Sequence, residues 1–216
     1  MSDGNISDRY RVPEGHPEAA FVDAEQTILV NKPGYTELES LQVAEEVALA
    51  RAYEQLLVEV RMDTLMTCEL LLHIHRSIFG ELFEWAGRWR TVQISKPGAI
   101  WPPPQFLEQA MLDFERAVLR RHPARSLASD DLFCKAAAEI QGEFLSIHPF
   151  REGNARTIKL LTDLLAAQSG RPILLYDSSD AGRDRYIEAA KAGLLTKSYQ
   201  PLVEIIRESL ERGQTR

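Results

Sequence analysis

Long apolar runs are missing from this sequence, and cysteine is scarce. No apolar stretch among its 216 residues approaches the roughly 20 residues that a membrane helix requires. The opening segment, MSDGNISDRYR, contains no apolar stretch typical of a signal peptide. The two cysteines, Cys68 and Cys134, lie in apolar, helix-like runs, which favours buried free thiols over a disulfide or zinc framework. We therefore expect a cytoplasmic protein with no membrane partner.

Basic residues are fewer than acidic residues. The chain has 25 Lys and Arg against 32 Asp and Glu, a formal net charge of −7. Such a surface does not attract nucleic acid or anionic membrane in general, so we expect no nucleic-acid partner, and any anion site must be local. Hydrophobic residues make up 44% and charged residues 26%, which is typical of a folded globular chain.

The pattern of apolar residues predicts an all-α bundle with one small β-hairpin. We expect residues 1–35 to form a loosely ordered N-terminal arm that lies on the core, and residues 36–216 to form one domain. Thr36 and Glu39 resemble a capping pair at the start of the first amphipathic helix. Later helices are predicted at about 64–79, 104–121, 129–146, 154–169, 180–195 and 200–212.

Aromatic and β-like residues between the second and third predicted helices indicate the hairpin. A β-like run at 91–95 precedes a Pro-Gly turn. Trp85 and Trp89, just before this run, are predicted to lie in the core. His73 and His75 on the preceding helix are two residues apart and point to different faces, which favours packing or solvent roles over a metal pair.

Residues 148–159, HPFREGNARTIK, read as a helix end, a tight turn and a helix start. Pro149 is expected to help end the first helix near His148, while Gly153 and Asn154 tolerate turn geometry. Backbone N–H groups gather at such a helix N-terminus, where the helix dipole is positive. The segment therefore predicts a phosphate-binding nest that needs no Walker-type lysine.

Charged and titratable side chains of the same segment could bind phosphate, hold a metal ion or accept a proton beside the nest. Arg156, one turn into the helix, suits a forked pair with a polyphosphate, and Arg151 and Lys159 add positive charge. Glu152 is a hard oxygen ligand suited to Mg²⁺ that is also held by phosphates. His148 has an imidazole suited to taking a proton at neutral pH. The residues alone leave two interpretations: a nucleotidyl or phosphoryl transfer site, or an interhelical turn with solvated charges and an ordinary histidine.

The segment resembles the signature of the Fic family, H-x-F-x-[D/E]-G-N-G-R-x-x-R. The matching positions are His148, Phe150, Glu152, Gly153, Asn154 and Arg156. Upstream, HIHRSIFGELFEWAGRWRTVQISKPG looks like the helix and flap hairpin that precede this signature. The resemblance covers roughly residues 36–212 and implies a Fic-type helical bundle with a flap. It also implies a protein adenylyltransferase, which moves AMP from ATP to a Ser, Thr or Tyr hydroxyl of a target protein and releases pyrophosphate.

The resemblance implies a role for each matching residue. His148 would be the base, Glu152 would hold Mg²⁺ between phosphates, and Phe150 would anchor the loop. Gly153, Asn154 and the Ala155 amide would line the nest, with Arg156 on the β- and γ-phosphates. Two positions depart from the family pattern: Ala155 replaces the second Gly, and Lys159 replaces the second Arg and keeps its charge without the fork.

The flap and the regulation are also expected from the resemblance. The flap would pair by strand addition with an extended, hydroxyl-bearing target segment; the alternative is a hairpin that only covers the nucleotide. The expected docking residues are Val92, Gln93, Ile94 and Ser95.

No segment outside the loop fits the family's inhibitory pattern [S/T]-x-x-x-E-[G/N], so restraint would come from a separate small antitoxin-like protein, with this chain as the toxin. Two further hypotheses are a Fic enzyme that transfers UMP, phosphate or phosphocholine, and an inactive helical module that binds a nucleotide or partner.

Overall fold

The computed structural model describes residues 17–96 and 99–215 of the chain. Within these residues the fold consists of seven α-helices and one two-stranded sheet, which confirms the predicted all-α class with a small hairpin. The elements are α1 (Leu38–Glu59), α2 (Cys68–Phe79), β1 (Ser95–Lys96), β2 (Ala99–Ile100), α3 (Leu107–Ala117), α4 (Asp130–Ile147), α5 (Asn154–Gln168), α6 (Asp180–Thr196) and α7 (Gln200–Gln214). Short 3₁₀ turns lie at Pro17–Ala19, Pro104–Phe106, Leu119–Arg121 and Ala124–Ser126.

Polar side chains set where several helices begin. Thr67, Ser129 and Ser179 accept hydrogen bonds from N–H groups in the first turns of α2, α4 and α6. The capping pair predicted from Thr36 and Glu39 is wrong. Helix α1 begins two residues after Thr36, its N-cap position is Glu37, and that side chain makes no capping bond.

Helix α4 is the centre of the bundle, in contact with α3, α5, α6 and α7. Its small residues allow this close packing: a Cβ at Gly142 would overlap the Tyr199 ring of the neighbouring chain segment. The buried Gln141 of α4 is satisfied by its neighbours, since its amide donates to Thr162 and accepts from the Tyr186 hydroxyl at 2.7 Å. The core thus fixes α4 and α5 against each other, and with them the loop that joins them.

The tryptophan and histidine predictions upstream of the hairpin are confirmed. Trp85 is buried and stacks on Phe83, and the half-buried Trp89 packs against the core. His75 is fully buried, whereas His73 is accessible and pairs with Glu59 at 3.1 Å.

The strand predicted at 91–95 is displaced. Pairing is antiparallel and joins Ser95 to Ile100 and Lys96 to Ala99. Val92 and Ile94 instead turn their side chains into a small cluster with Ala99 and Trp101. The Val92 carbonyl accepts a hydrogen bond from the Arg90 guanidinium at 2.8 Å, so this part of the chain is bonded to the body and not to a partner strand.

Residues 17–35 run along the body of the domain, while residues 1–16 of the predicted N-terminal arm lie outside the described residues. Ile28 and Leu29 are buried in the core, and Phe21 forms a bridge with Leu29. The Glu18 carboxylate accepts hydrogen bonds from the backbone and hydroxyl of Thr91. Among the described residues, no helix has both the length and the apolar character needed to cross a membrane.

Candidate active site

His148 lies where α4 ends, in a backbone conformation that turns the chain sharply. Its φ of 53° and ψ of 59° are left-handed, and its N–H donates to the Phe144 carbonyl at 2.8 Å. Pro149 follows and cannot continue a helix, as the sequence predicted. The Arg90 guanidinium donates to the His148 carbonyl at 2.9 Å, which anchors the turn from the hairpin side.

The imidazole of His148 is held in one tautomer. Its Nδ1 lies 3.1 Å from the Leu145 carbonyl, which can only accept, so Nδ1 carries the proton and Nε2 carries the lone pair. The Trp101 indole packs on the ring at 4.3 Å between centroids and donates to the same Leu145 carbonyl at 2.9 Å. Burial lowers the pKa of His148 to about 4. The ring is therefore neutral at pH 7, with a basic nitrogen at Nε2.

Acid should destabilise the protein through this histidine. The folded-state pKa lies below the unfolded value of about 6.5, so the unfolded chain binds more protons between these values. The contribution of the neutral ring to the free energy of unfolding is complete above pH 6.5. At pH 5 this contribution has fallen by about 2 kcal/mol for His148 alone. Urea unfolding of wild type at pH 7 and pH 5 measures the loss, and His148→Asn should show a smaller loss. Equal pH dependence in both proteins would contradict the assignment.

Reciprocal hydrogen bonds close the loop between α4 and α5. The Phe150 N–H donates to the Asn154 side-chain oxygen, and the Asn154 amide donates to the Phe150 carbonyl, each at 2.9 Å. The Phe150 ring is fully buried. Gly153 has a φ of 76°, and a Cβ there would overlap the ring of Phe79. Glycine is thus required at 153 by both backbone and space.

The start of α5 forms the predicted gathering of backbone N–H groups. Asn154, Ala155 and Arg156 occupy the first turn, where N–H groups have no acceptor within the helix. The Gly153 N–H donates to the Glu152 carboxylate at 3.0 Å, so an anionic group already lies at this position. Ala155 lies in the helix and is not one of the described non-glycine residues with a positive φ. Its Cβ therefore causes no backbone strain.

Arg156 begins beside the nest, and its guanidinium is held by α1. Its guanidinium donates to the Glu45 carboxylate at 2.7 Å, a pair whose side chains are 30% and 15% exposed. The same guanidinium lies 4.6 Å from the centre of the Phe79 ring. Phosphate binding by Arg156 therefore competes with Glu45.

Two cations expected near the nest lie elsewhere. The Lys159 ammonium sits over the rings of Tyr176 and Tyr186, 4.1 and 3.9 Å from their centroids, and burial lowers its pKa to about 8. Arg151 is buried beneath the N-terminal segment, where it donates to the Glu18 carbonyl at 2.7 Å. Lys159 lies about one turn beyond Arg156 on α5, and its ammonium contacts Tyr186 of α6 instead of the nest.

A pocket joins the loop to the hairpin and to α6. His148, Glu152 and residues 153–156 line it on the loop side, and Lys96, Ala99 and Trp101 line it on the hairpin side. Sequence reasoning missed its third wall, which comes from α6. The α6 residues are Tyr186, Ile187, Ala190, Lys191 and Leu194. Their apolar spacing along α6 was the available signal, but it is the same spacing that a core-facing helix shows.

Glu152 is the carboxylate of the loop that suits a metal ion. In the described ranges, no group of three or more His, Cys, Asp and Glu side chains could hold an ion without other ligands. One carboxylate at the mouth of an N–H nest fits a hard cation that takes its remaining ligands from water and phosphate. Glu152 lines the pocket beside His148 and Arg156, where a cation could be bound by its carboxylate and by the phosphates together.

The geometry defines a class: a helical domain in which one loop joins a helix N-terminus to a buried, neutral histidine. Residues 65–166 match the model of the Fic/DOC family. The chain thus contains a Fic/DOC domain, as the signature indicated.

Similar proteins agree with this family. The chain is 28% identical over 151 residues to the protein adenylyltransferase VbhT of Bartonella schoenbuchensis (69% of this chain, 31% of that protein). It is 32% identical over 117 residues to the probable protein adenylyltransferase y4lH of Sinorhizobium fredii (54% and 59%). It thus spans about a third and three fifths of their lengths. The N-terminal FIC domain of Bep8 from Bartonella sp. 1-1C shares the fold, with a TM-score of 0.72, 21% identity, and coverage of 88% and 94%.

Proposed function

We propose that this chain is a protein adenylyltransferase that moves AMP from ATP to a hydroxyl of a target protein. The carrying observation is the His148 imidazole, neutral and with its lone pair on Nε2, in one pocket with the N-terminus of α5. The matched relatives named protein adenylyltransferase support the reaction type. A base and an anion nest in one pocket are the parts that phosphoryl-group chemistry needs, because such catalysis depends on positioning and charge stabilisation.

Each loop residue has a separate proposed role in the transfer reaction. The N–H groups of residues 153–155 would bind phosphate oxygens, and Arg156 would neutralise the terminal phosphates once it leaves Glu45. The Glu152 carboxylate would hold Mg²⁺, which supplies charge neutralisation on the phosphates. The target hydroxyl gives its proton to Nε2 of His148, and its oxygen bonds to the α-phosphorus. The bond from the α-phosphorus to the β-bridging oxygen breaks, and pyrophosphate carries away that electron pair.

Nucleotide binding should also tune the base. In the ligand-free protein, burial holds the pKa of His148 at about 4, which makes it a weak base. A bound triphosphate brings several negative charges next to the imidazole, and negative charge favours the protonated form. The basicity of Nε2 therefore rises when ATP is present. Without ATP the imidazole stays neutral, so no uncompensated charge is buried at this site.

The hairpin is the proposed docking surface for the target. Val92 and Ile94 have buried side chains, so an added strand along 92–95 would pair mainly with backbone, while Ser95 and the half-buried Gln93 complete the surface. The Gln93 amide donates to the Trp101 carbonyl at 2.8 Å, and this bond joins the segments on either side of the hairpin. Backbone pairing aligns a hydroxyl without demanding a particular target sequence.

The proposal also covers where the enzyme acts and what restrains it. We place the enzyme in the cytoplasm, where ATP and reduced thiols coexist. A separate small antitoxin-like inhibitor is still proposed on the family resemblance, with this chain as the toxin. The Glu45–Arg156 pair adds a restraint inside the chain that acts on the proposed phosphate ligand.

Labelling with ATP tests the proposed reaction. Purified protein with Mg²⁺ and α-³²P-ATP should label itself or a protein of a cell lysate, and γ-³²P-ATP should not. Label from γ-³²P-ATP alone would indicate phosphate transfer. Label from UTP or CDP-choline alone would indicate a different donor, and no label from any donor would favour a binding module.

Lys159→Met should change ATP affinity by less than about threefold, because the ammonium packs on Tyr176 and Tyr186 and does not line the nest pocket. Calorimetric titration with ATP measures the change. Arg156→Met is the matched comparison, with the same replacement one turn earlier on α5, and it should weaken binding clearly more. Equal losses in the two variants would show that Lys159 reaches the phosphates.

A further inference from the structure

His75 is a fully buried histidine that contacts the loop from beneath. It lies on α2, and its ring stacks on Phe150 at 3.8 Å with an angle of 11° between planes. Phe79 and Trp85 pack on its other sides, at 4.9 and 5.9 Å. The sequence indicated a packing or solvent role, yet a phenylalanine would fill an apolar site of this kind at lower desolvation cost.

Both ring nitrogens of His75 are used, and the partners fix the tautomer. The Gly87 N–H donates to Nδ1 at 2.8 Å, so Nδ1 carries the lone pair. Nε2 lies 3.1 Å from the Glu152 carbonyl, which can only accept, so Nε2 carries the proton. Burial lowers the pKa of His75 to about 3, and the neutral ring persists at physiological pH. A neutral imidazole is the ring that matches one donor and one acceptor at these positions.

The bond to the Glu152 carbonyl controls the peptide that joins Glu152 to Gly153. A trans peptide is planar, and its C=O and N–H point in opposite directions. When His75 holds the carbonyl on the core side, the Gly153 N–H must face the opposite side, where it now meets the Glu152 carboxylate. Gly153 has no Cβ to resist rotation of this peptide, so the loop's own sterics do not fix its direction.

We propose that His75 is a positioning residue for the transfer reaction, holding the Glu152–Gly153 peptide so that its N–H and not its carbonyl faces the phosphate. This inference rests on the proposed function. In the flipped peptide, a carbonyl oxygen would face the nucleotide and repel it, while a nest donor would be lost. The rest of the loop, closed by the hydrogen bonds between Asn154 and Phe150, would be unaffected by the flip.

Two variants of His75 separate positioning from packing. An Asn side chain places its oxygen near the Nδ1 position and can still accept from Gly87, but it is too short to reach the Glu152 carbonyl. A Gln side chain places its amide near Nε2 and can still donate to Glu152. Both lose the ring stack on Phe150, so their effects on thermal stability should be similar. They differ in which backbone partner is kept: the Asn variant keeps the Gly87 bond, and the Gln variant keeps the Glu152 bond that the inference concerns.

His75→Asn should lower kcat for AMP transfer about tenfold or more, since loss of one preorganised donor has large effects on transfer rates. His75→Gln should stay within about threefold of wild type when both are measured below their melting temperatures. Equal losses in the two variants would overturn the positioning role. Wild type that binds ATP but transfers nothing would instead overturn the proposed function, so the two failures are distinguishable.

Nitrogen NMR of wild-type protein tests the inference even where a variant does not fold. The His75 ring should be neutral, protonated at Nε2 and unchanged from pH 5 to pH 8. ATP addition should shift the Gly153 amide resonance, because that N–H would bind phosphate. A ring protonated at Nδ1, or a Gly153 amide that does not respond to bound ATP, would contradict it.

Discussion

His148→Ala should reduce AMP transfer by about 10²–10⁴-fold, the range expected when a general base is removed. ATP affinity should change little, because the nest N–H groups and Arg156 remain. His148→Asn is the sharper control: its amide can still donate to the Leu145 carbonyl, as Nδ1 does now, but it offers no basic nitrogen. Both variants should therefore bind ATP and fail to transfer, as measured by α-³²P labelling beside calorimetric titration.

Transfer by His148→Asn at a rate near that of wild type would show that the imidazole is not the base. The hydroxyl would then lose its proton to another group, and the Nδ1 contact with Leu145 would only shape the turn. Loss of ATP binding in both variants would instead assign His148 to the nucleotide site.

Glu45→Gln should raise ATP affinity about tenfold. The Glu45 carboxylate accepts from Arg156 at 2.7 Å and must be displaced before that guanidinium can bind phosphate. A charge-assisted hydrogen bond contributes roughly 1.5–3 kcal/mol when buried and less when partly exposed, and about 1.4 kcal/mol corresponds to tenfold in affinity. The amide of Gln also removes a negative charge that would repel the triphosphate.

Glu46→Gln is the matched control for this prediction. Glu46 is the next residue of α1 and is exposed, so the same change in net charge is made without touching Arg156. Calorimetric titration with ATP should show tighter binding for Glu45→Gln alone. An equal rise in both variants would mean a general charge effect, and no rise in either would mean that Arg156 does not bind the nucleotide.

The loop was predictable from sequence because its chemistry is local. Pro149, Gly153 and the first turn of α5 lie within a few residues, and backbone rules fix what such residues do. Helix positions followed from apolar periodicity in the same way. The hairpin register did not, since the burial of Val92 and Ile94 depends on Trp101 and on the Arg90 contacts.

Contacts distant in sequence account for what the sequence could not show. Glu45 and Arg156 are 111 residues apart, and His75 lies 77 residues from Glu152. No local pattern marks Glu45 among the other acidic residues of α1, or distinguishes His75 from a packing histidine. Lys159 was assigned to the nest by its place in the signature, but its ammonium lies between two tyrosine rings contributed by later segments.

Tandem mass spectrometry of the modified protein tests the central claim most directly. Protein incubated with ATP and Mg²⁺, alone and with a lysate, is digested and its peptides are fragmented. A Ser, Thr or Tyr residue that carries one adenosine monophosphate, absent when His148→Asn is used, is the predicted result. A modified residue that carries phosphate alone, or adenosine monophosphate at the same level with the variant, would contradict it.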